Sequence, residues 1–140
     1  MRIRIDRKRL ERAKRKIRQQ TRRSQGRAIE EIRDNVNRYI IGWVNYYALA
    51  DAQGHMKRLD EHLRRRMRQI LWKQWKTTAN RRNNLRALGV SEYWAIRTGG
   101  TSKGTWRISA SPPLHKALNN SYWQELGLAS FLQRYQLRHT

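Results

Sequence analysis

Ile29, Ile32, Val36, Tyr39, Ile40, Trp43, Val44 and Tyr47 recur at steps of three and four residues. That is the period of one helix face held over about five turns, so the chain must contain a long amphipathic helix, roughly Arg27 to Ala50. Its second half, Arg38-Tyr39-Ile40-Ile41-Gly42-Trp43-Val44-Asn45-Tyr46-Tyr47, concentrates four aromatic rings. So much apolar bulk predicts the helix on which others pack, with Tyr46 the ring most inclined to face outward. Glycine costs a helix interior about 1 kcal/mol relative to alanine, so Gly42 predicts close approach of another backbone.

Helices of opposite character flank this one. Asp6 is an N-cap candidate for a first helix with a narrow stripe of Leu10, Ala13 and Ile17 and basic residues on nearly every other face through Arg23. Gly26 ends that helix or begins the turn. After a turn over residues 51–54, a third helix carries Met56, Leu59, Leu63, Met67, Ile70, Leu71 and Trp75 on one face. Lys57, Arg58, Arg64, Arg65, Arg66, Arg68, Lys73 and Lys76 occupy its other faces. Glu30, Glu31 and Asp34 complement the dipole at the start of helix two. An all-α fold follows: a three-helix bundle over residues 1–80, then a smaller, irregular helical region over 81–140. The expected core is Ile32, Val36, Ile40, Trp43, Tyr47, Leu59, Leu63 and Ile70. In the second region, residues 81–88 form a short helix closed by Gly89, and Ser91 caps another with Tyr93, Trp94 and Ile96. Residues 98–104 read as a loop, 105–108 as extended, and Ser111-Pro112-Pro113 as a helix start. A last helix holds Leu128, Phe131, Leu132 and Tyr135. Residues 2–5 alternate arginine and isoleucine like a short strand.

Charge narrows the partner. The 140 residues carry 32 Lys and Arg against 10 Asp and Glu, a net charge of +22. Residues 1–28 hold +11 and residues 54–82 hold +8, around a middle segment of −2 over residues 29–53. Self-repulsion of that size asks for a polyanion, and acids at helical spacing are too few to pair the cations off. Nucleic acid is the expected ligand, ahead of an anionic membrane, for which the basic helices lack a broad apolar face. Trp72 and Trp75 sit among Lys73 and Lys76, where rings can stack on bases, although rings at this helical spacing more often belong to a core.

Catalytic and metal chemistry find little support. The chain has no cysteine, so there is no disulfide framework or thiolate zinc site. His55, His62, His115 and His139 show no metal-ligand spacing, and no glycine-rich phosphate loop follows a strand. The close acid pairs, Glu30 with Asp34 and Asp60 with Glu61, fit helix-end electrostatics better than acid–base work. No apolar run reaches the length of a membrane span, so the expectation is a cytoplasmic protein without cofactor or membrane partner.

The Gly42-Trp43-x-x-Tyr46-Tyr47 signature after a basic helix resembles the maturase-specific domain, the thumb, of group II intron-encoded reverse transcriptases. So does the second basic helix, with Leu59-Asp60-x-x-Leu63-Arg64-Arg65-Arg66 and then Leu71-Trp72-Lys73-Gln74-Trp75-Lys76. Asn84-Leu85-Arg86-Ala87-Leu88-Gly89-Val90, Lys103-Gly104-Thr105-Trp106-Arg107, Ser111-Pro112-Pro113-Leu114 and residues 117–123 are similar to the C-terminal region of bacterial class C members. The family's Tyr-x-Asp-Asp polymerase motif has no counterpart in this sequence, so polymerase activity does not carry over and no catalytic residue is assigned. The resemblance implies binding of group II intron RNA to promote splicing and clamping of an RNA–DNA template–primer duplex. It also implies contact with target DNA during retrohoming and an upstream fingers and palm reverse transcriptase domain as partner. The expected nucleic-acid-binding residues are Lys8, Arg12, Arg15, Arg18, Arg22, Arg23, Arg64, Arg65, Arg68, Lys73, Lys76, Arg81 and Arg82. A free-standing basic RNA chaperone and a sequence-specific DNA-binding module are the competing classes.

Overall fold

The computed structural model describes residues 4–22 and 26–138. The fold is all-α: among these residues there are nine helices and no strand. They are α1 (Arg7–Gln20), α2 (Ile29–Tyr46), α3 (Gln53–Trp75), α4 (Thr78–Ala87), α5 (Glu92–Gly99), α6 (Thr105–Ile108), α7 (Pro112–Ala117), α8 (Asn120–Leu126) and α9 (Phe131–Arg138). The chain packs as two units, residues 1–64 with 127–140 and residues 65–126, so α3 contributes its first half to one and its second to the other.

In the first unit, Asp6 caps α1 as its sequence position predicts, its side chain accepting from the Lys8 N–H. α1 stops at Gln20, before Gly26, and Thr21, its C-cap, donates from both its N–H and its hydroxyl to the Ile17 carbonyl, at 2.9 and 2.6 Å. Ala13 and Ile17 are fully buried, and α1 packs on α2 along this thin stripe. From α2 come Ile29, Ile32, Val36, Ile40 and Val44, and from α3 Met56, Leu59 and Leu63, all buried. The two aromatics expected in the core behave differently: Trp43 and Tyr47 are half-buried. They lie one turn apart at the edge of the α1–α2 contact, where the thin α1 stripe is too narrow to cover them. The strand expected at residues 2–5 lies partly outside the described residues, and Arg4 and Ile5 belong to no regular element.

A fourth helix joins this unit from the far end of the chain. α9 packs on α2 through buried Phe131 and Tyr135, four residues apart on one face. Polar anchors fix it. Asp60, buried in α3, accepts from Ser130 Oγ at 2.6 Å, the Phe131 N–H at 2.7 Å and the Leu132 N–H at 3.0 Å. Asn37 donates to the Gly127 carbonyl at 2.8 Å and accepts from the Ala129 N–H at 2.7 Å. The Tyr135 hydroxyl donates to the Ala50 carbonyl and accepts from the Ala52 N–H.

The second unit gathers Met67, Ile70, Leu71 and Trp72 of α3 with Leu85, Val90, Ala95, Ile108, Leu114, Ala117, Leu118 and Trp123, all buried. α4 starts three residues earlier than the apolar pattern suggests, because Thr77 caps it by accepting from the Asn80 N–H. Ser91 caps α5 as expected. Thr98 and Gly99, read from sequence as loop, are the buried end of that helix. A Cβ on Gly99 would stand 3.3 Å from the Arg82 nitrogen and the Thr78 carbonyl oxygen, so glycine lets α5 close on α4. Residues 105–108 are a helical turn where extended chain was expected. The Ile108 N–H reaches the Gly104 carbonyl at 3.0 Å, and Gln69 donates to Thr105 Oγ1 at 2.9 Å.

Candidate nucleic-acid interface

α1 is the most concentrated run of positive charge in the chain. Arg7, Lys8, Arg9, Arg12, Lys14, Arg15, Lys16 and Arg18 share fourteen residues with one carboxylate, Glu11, which sits 3.8 Å from Lys14. Lys8, Arg12 and Arg15 recur at i, i+4 and i+7, opposite Leu10, Ala13 and Ile17, and all three are exposed. Arg18 is also exposed, and Arg22 lies exposed just beyond the helix end. Arg23 falls outside the described residues. The segregation has a simple cause: with the apolar stripe of Leu10, Ala13 and Ile17 turned to the core, the remaining side chains of α1 are cations and glutamines apart from Glu11.

The cations expected from α3 do not form one such surface. Arg68 is buried at 5% exposure and donates from Nε to the Ser109 carbonyl at 2.8 Å. It is a strut within the second unit, and its assignment to the phosphate-binding set is corrected: a guanidinium so placed cannot reach a backbone in solvent. Arg65 is half-buried, donating to Ser109 Oγ at 3.2 Å and to the Trp106 carbonyl at 3.0 Å, with its guanidinium 3.9 Å from the Trp106 ring centre. Two of the three arginines expected from α3, Arg65 and Arg68, therefore hold the end of α6 in place. Arg64 is half-buried, while Lys73 and Lys76 are exposed. Lys76 adopts φ of +64° immediately after α3, the left-handed conformation that ends a helix.

Arg81 and Arg82 are half-buried in α4. Arg81 donates from Nε to the Trp72 carbonyl at 3.0 Å and lies 4.6 Å from the Trp72 ring centre, and burial lowers its pKa. Trp72 itself is fully buried, so its core role is settled and base stacking is excluded for it; Trp75, 6.0 Å away edge-on, is half-buried.

Cationic and aromatic side chains that, Arg12 apart, the sequence did not assign to the interface come together elsewhere. On the first unit, Arg9 of α1 and Arg38 of α2 stand with Arg12 around a groove walled by Tyr39, Trp43, Tyr46 and Tyr47. The signal was present as Arg38, Tyr39, Gly42 and Tyr46 at helical spacing, but the partnership with Arg9 depends on how α1 lies on α2. On the second unit, Tyr93 and Trp94 are more than half exposed at the start of α5, and Arg97 donates to the Tyr93 hydroxyl at 2.7 Å. Among the described residues no cluster of His, Asp or Glu is arranged to hold a metal, and no helix is long and apolar enough to cross a membrane.

The family model of the group II intron maturase-specific domain matches residues 10–89. The chain belongs to that family. The matched stretch runs from Leu10 in α1 to Gly89, which follows α4, and so takes in the basic helix from Leu10 onward, the aromatic-rich α2 and the whole of α3. A search among curated proteins found no match. For this maturase-specific domain the family ties the chain to group II introns in general, and the exposed cations of α1 are the part of it with the clearest phosphate-binding chemistry.

Proposed function

We propose that this chain binds group II intron RNA through α1 to promote splicing, and that the same surface clamps the RNA–DNA template–primer duplex during retrohoming. The observation that carries the reading is the exposed Lys8, Arg12 and Arg15 row on a helix with eight cations and one carboxylate. Cations so placed release counterions from a phosphate backbone on binding, which gives affinity with a steep salt dependence. Arg also grips phosphate oxygens bidentately, so a fixed row of Arg on a helix can favour one spacing of phosphates over another. Folded RNA crowds its phosphates, and supplying positive charge there lowers the free energy of the compact form. The chemistry of splicing would then reside in the RNA, the protein acting as a binder in the bacterial cytoplasm. Residues 81–140 serve target DNA in this reading, with Tyr93, Trp94 and Arg97 as the contact patch and an upstream fingers and palm domain as partner.

The test is competition between a folded group II intron RNA and a scrambled RNA of equal length, at about 0.15 M salt, where exposed charges are screened beyond ~8 Å. A clear preference for the intron supports the reading. Replacing Lys8, Arg12 and Arg15 together by Ala should lower the slope of log affinity against log salt by about 3, one per phosphate contact. Equal affinities for the two RNAs would overturn the maturase role and leave a general polycation.

A further inference from the structure

We propose that the groove between α1 and α2 receives a single unpaired nucleobase of the bound RNA. The inference rests on the RNA-binding reading above and adds to it the chemistry of one subsite. The groove has a volume of about 400 Å³ and is open to solvent, at the lower end of the ~300–1,000 Å³ typical of small-ligand sites. Four of its lining residues are aromatic, three are arginines, and the eighth is Gly42. Among the described residues no carboxylate lines it.

The aromatic rings are pre-set. Phe131, in the core, meets Trp43 edge-on at 5.6 Å; Trp43 meets Tyr47 at 4.5 Å; and Tyr47 meets Tyr46 edge-on at 4.8 Å. This chain of rings runs from the buried Phe131 to Tyr46, which is 74% exposed. Arg9 donates to the Tyr47 hydroxyl at 3.4 Å, and Arg38 is held by Asn35, so two of the three cations are tethered beside the rings. A rigid ring surface costs little entropy to present, and arginine stacks as well as pairs with phosphate. A nucleobase with its flanking phosphates offers an aromatic face and negative charge in one unit, which is the complement of this lining. A duplex offers only the phosphates.

Gly42 is the second observation. It lies in the last third of α2, four residues before Tyr46, is exposed, and a Cβ built on it meets nothing within 4 Å. Nothing in the fold needs glycine there, although it costs the helix about 1 kcal/mol relative to alanine. The space above it belongs to the groove, so a side chain would take up the volume a flat ligand needs.

The experiment uses the full chain and two RNA hairpins of identical stem, one carrying a single bulged 2-aminopurine and one without the bulge. The bulged hairpin should bind about tenfold tighter, the scale of one stacked base, and the 2-aminopurine fluorescence should fall on binding. Gly42→Leu fills the groove and should bring the bulged-to-unbulged ratio close to one. Tyr46→Ala, at a position where the fold has little to lose, should lower that ratio severalfold and guards against a folding defect in the first variant. A ratio near one in the native chain with unquenched fluorescence overturns the subsite while the RNA-binding reading stands. A tenfold ratio that survives both substitutions also overturns it, by placing the base elsewhere. Failure of both hairpins to bind overturns the two readings together.

Discussion

Asp60 makes the sharpest demand on the architecture. Its carboxylate is 4% exposed, and it takes three hydrogen bonds from the start of α9, residues it meets only because the chain end folds back onto α3. Asp60→Asn keeps the shape and removes one acceptor. If the amide oxygen replaces Oδ2, serving Ser130 and Leu132, the NH2 group faces the Phe131 N–H and that buried donor loses its partner. An unmet buried donor costs about 1–3 kcal/mol, and loss of negative charge at a helix N-terminus a further ~0.3–1 kcal/mol. Removing a buried charge returns part of this, so the expected net loss is about 2 kcal/mol. At roughly 4 °C per kcal/mol for a domain of this size, thermal unfolding should shift down by about 8 °C, and amide exchange should accelerate first in α9. A change below about 0.5 kcal/mol with α9 exchange unaltered would refute the claim that Asp60 anchors the chain end. Acid titration checks it independently. Burial raises the Asp60 pKa against the hydrogen bonds from Ser130, Leu132 and Phe131 that pull it down. Between the unfolded and the raised folded pKa the native state binds the proton more strongly, so this group's contribution to stability grows as pH falls through that window. The stability gap between native and Asp60→Asn chains should therefore widen just above the ordinary carboxylate range, and a gap that narrows there would contradict it.

Four further outcomes separate structural from binding cations and test the second unit. Arg68→Met should lower stability by about 1–2 kcal/mol, because the Ser109 carbonyl loses its donor, and leave the salt slope of RNA binding unchanged. Lys73→Ala should do the reverse, with urea unfolding and salt titration read side by side. Gly99→Ala pushes a methyl against the backbone of α4 and should cost about 1–3 kcal/mol in urea unfolding, where an open site would gain from the substitution. Trp94→Ala, at a ring 52% exposed, should weaken binding of a target-DNA duplex severalfold with stability within about 0.5 kcal/mol, and unchanged DNA affinity would remove α5 from the proposed contact.

The two glycines show where sequence reasoning reaches its limit. Helical spacing located α1, α2 and α3 and the buried Ile32, Val36, Ile40, Leu59, Leu63 and Ile70, because periodicity is a local property. The roles of Gly42 and Gly99 came out reversed. Gly42, within an apolar and aromatic stretch of sequence, predicted helix contact and opens onto solvent; Gly99, beside a second glycine and near Thr, Ser and Lys, predicted a loop and is the close contact between α4 and α5. Whether a missing side chain faces a neighbour or empty space depends on what lies across from it, and no pattern within ten residues carries that. Asp60 obeys the same logic: helix-end electrostatics was the right physics for a buried acid, but the helix end is seventy residues away.

The same non-locality divides the positive charge. On α1 the apolar stripe is the single narrow row of Leu10, Ala13 and Ile17, so the row of Lys8, Arg12 and Arg15 on the opposite side remains at the surface. On α3 the apolar face is broad, residues 65–126 fold around its second half, and the arginines that reach that packing become donors to carbonyls of short segments with few partners of their own. Arginine suits both uses, since its fork can satisfy several acceptors or several phosphate oxygens. A count of basic residues therefore overstates the phosphate-binding surface of α3 and describes that of α1 well. If this division is correct, neutralising α1 should remove most of the salt dependence of RNA binding, and an equal number of α3 arginines should remove stability instead.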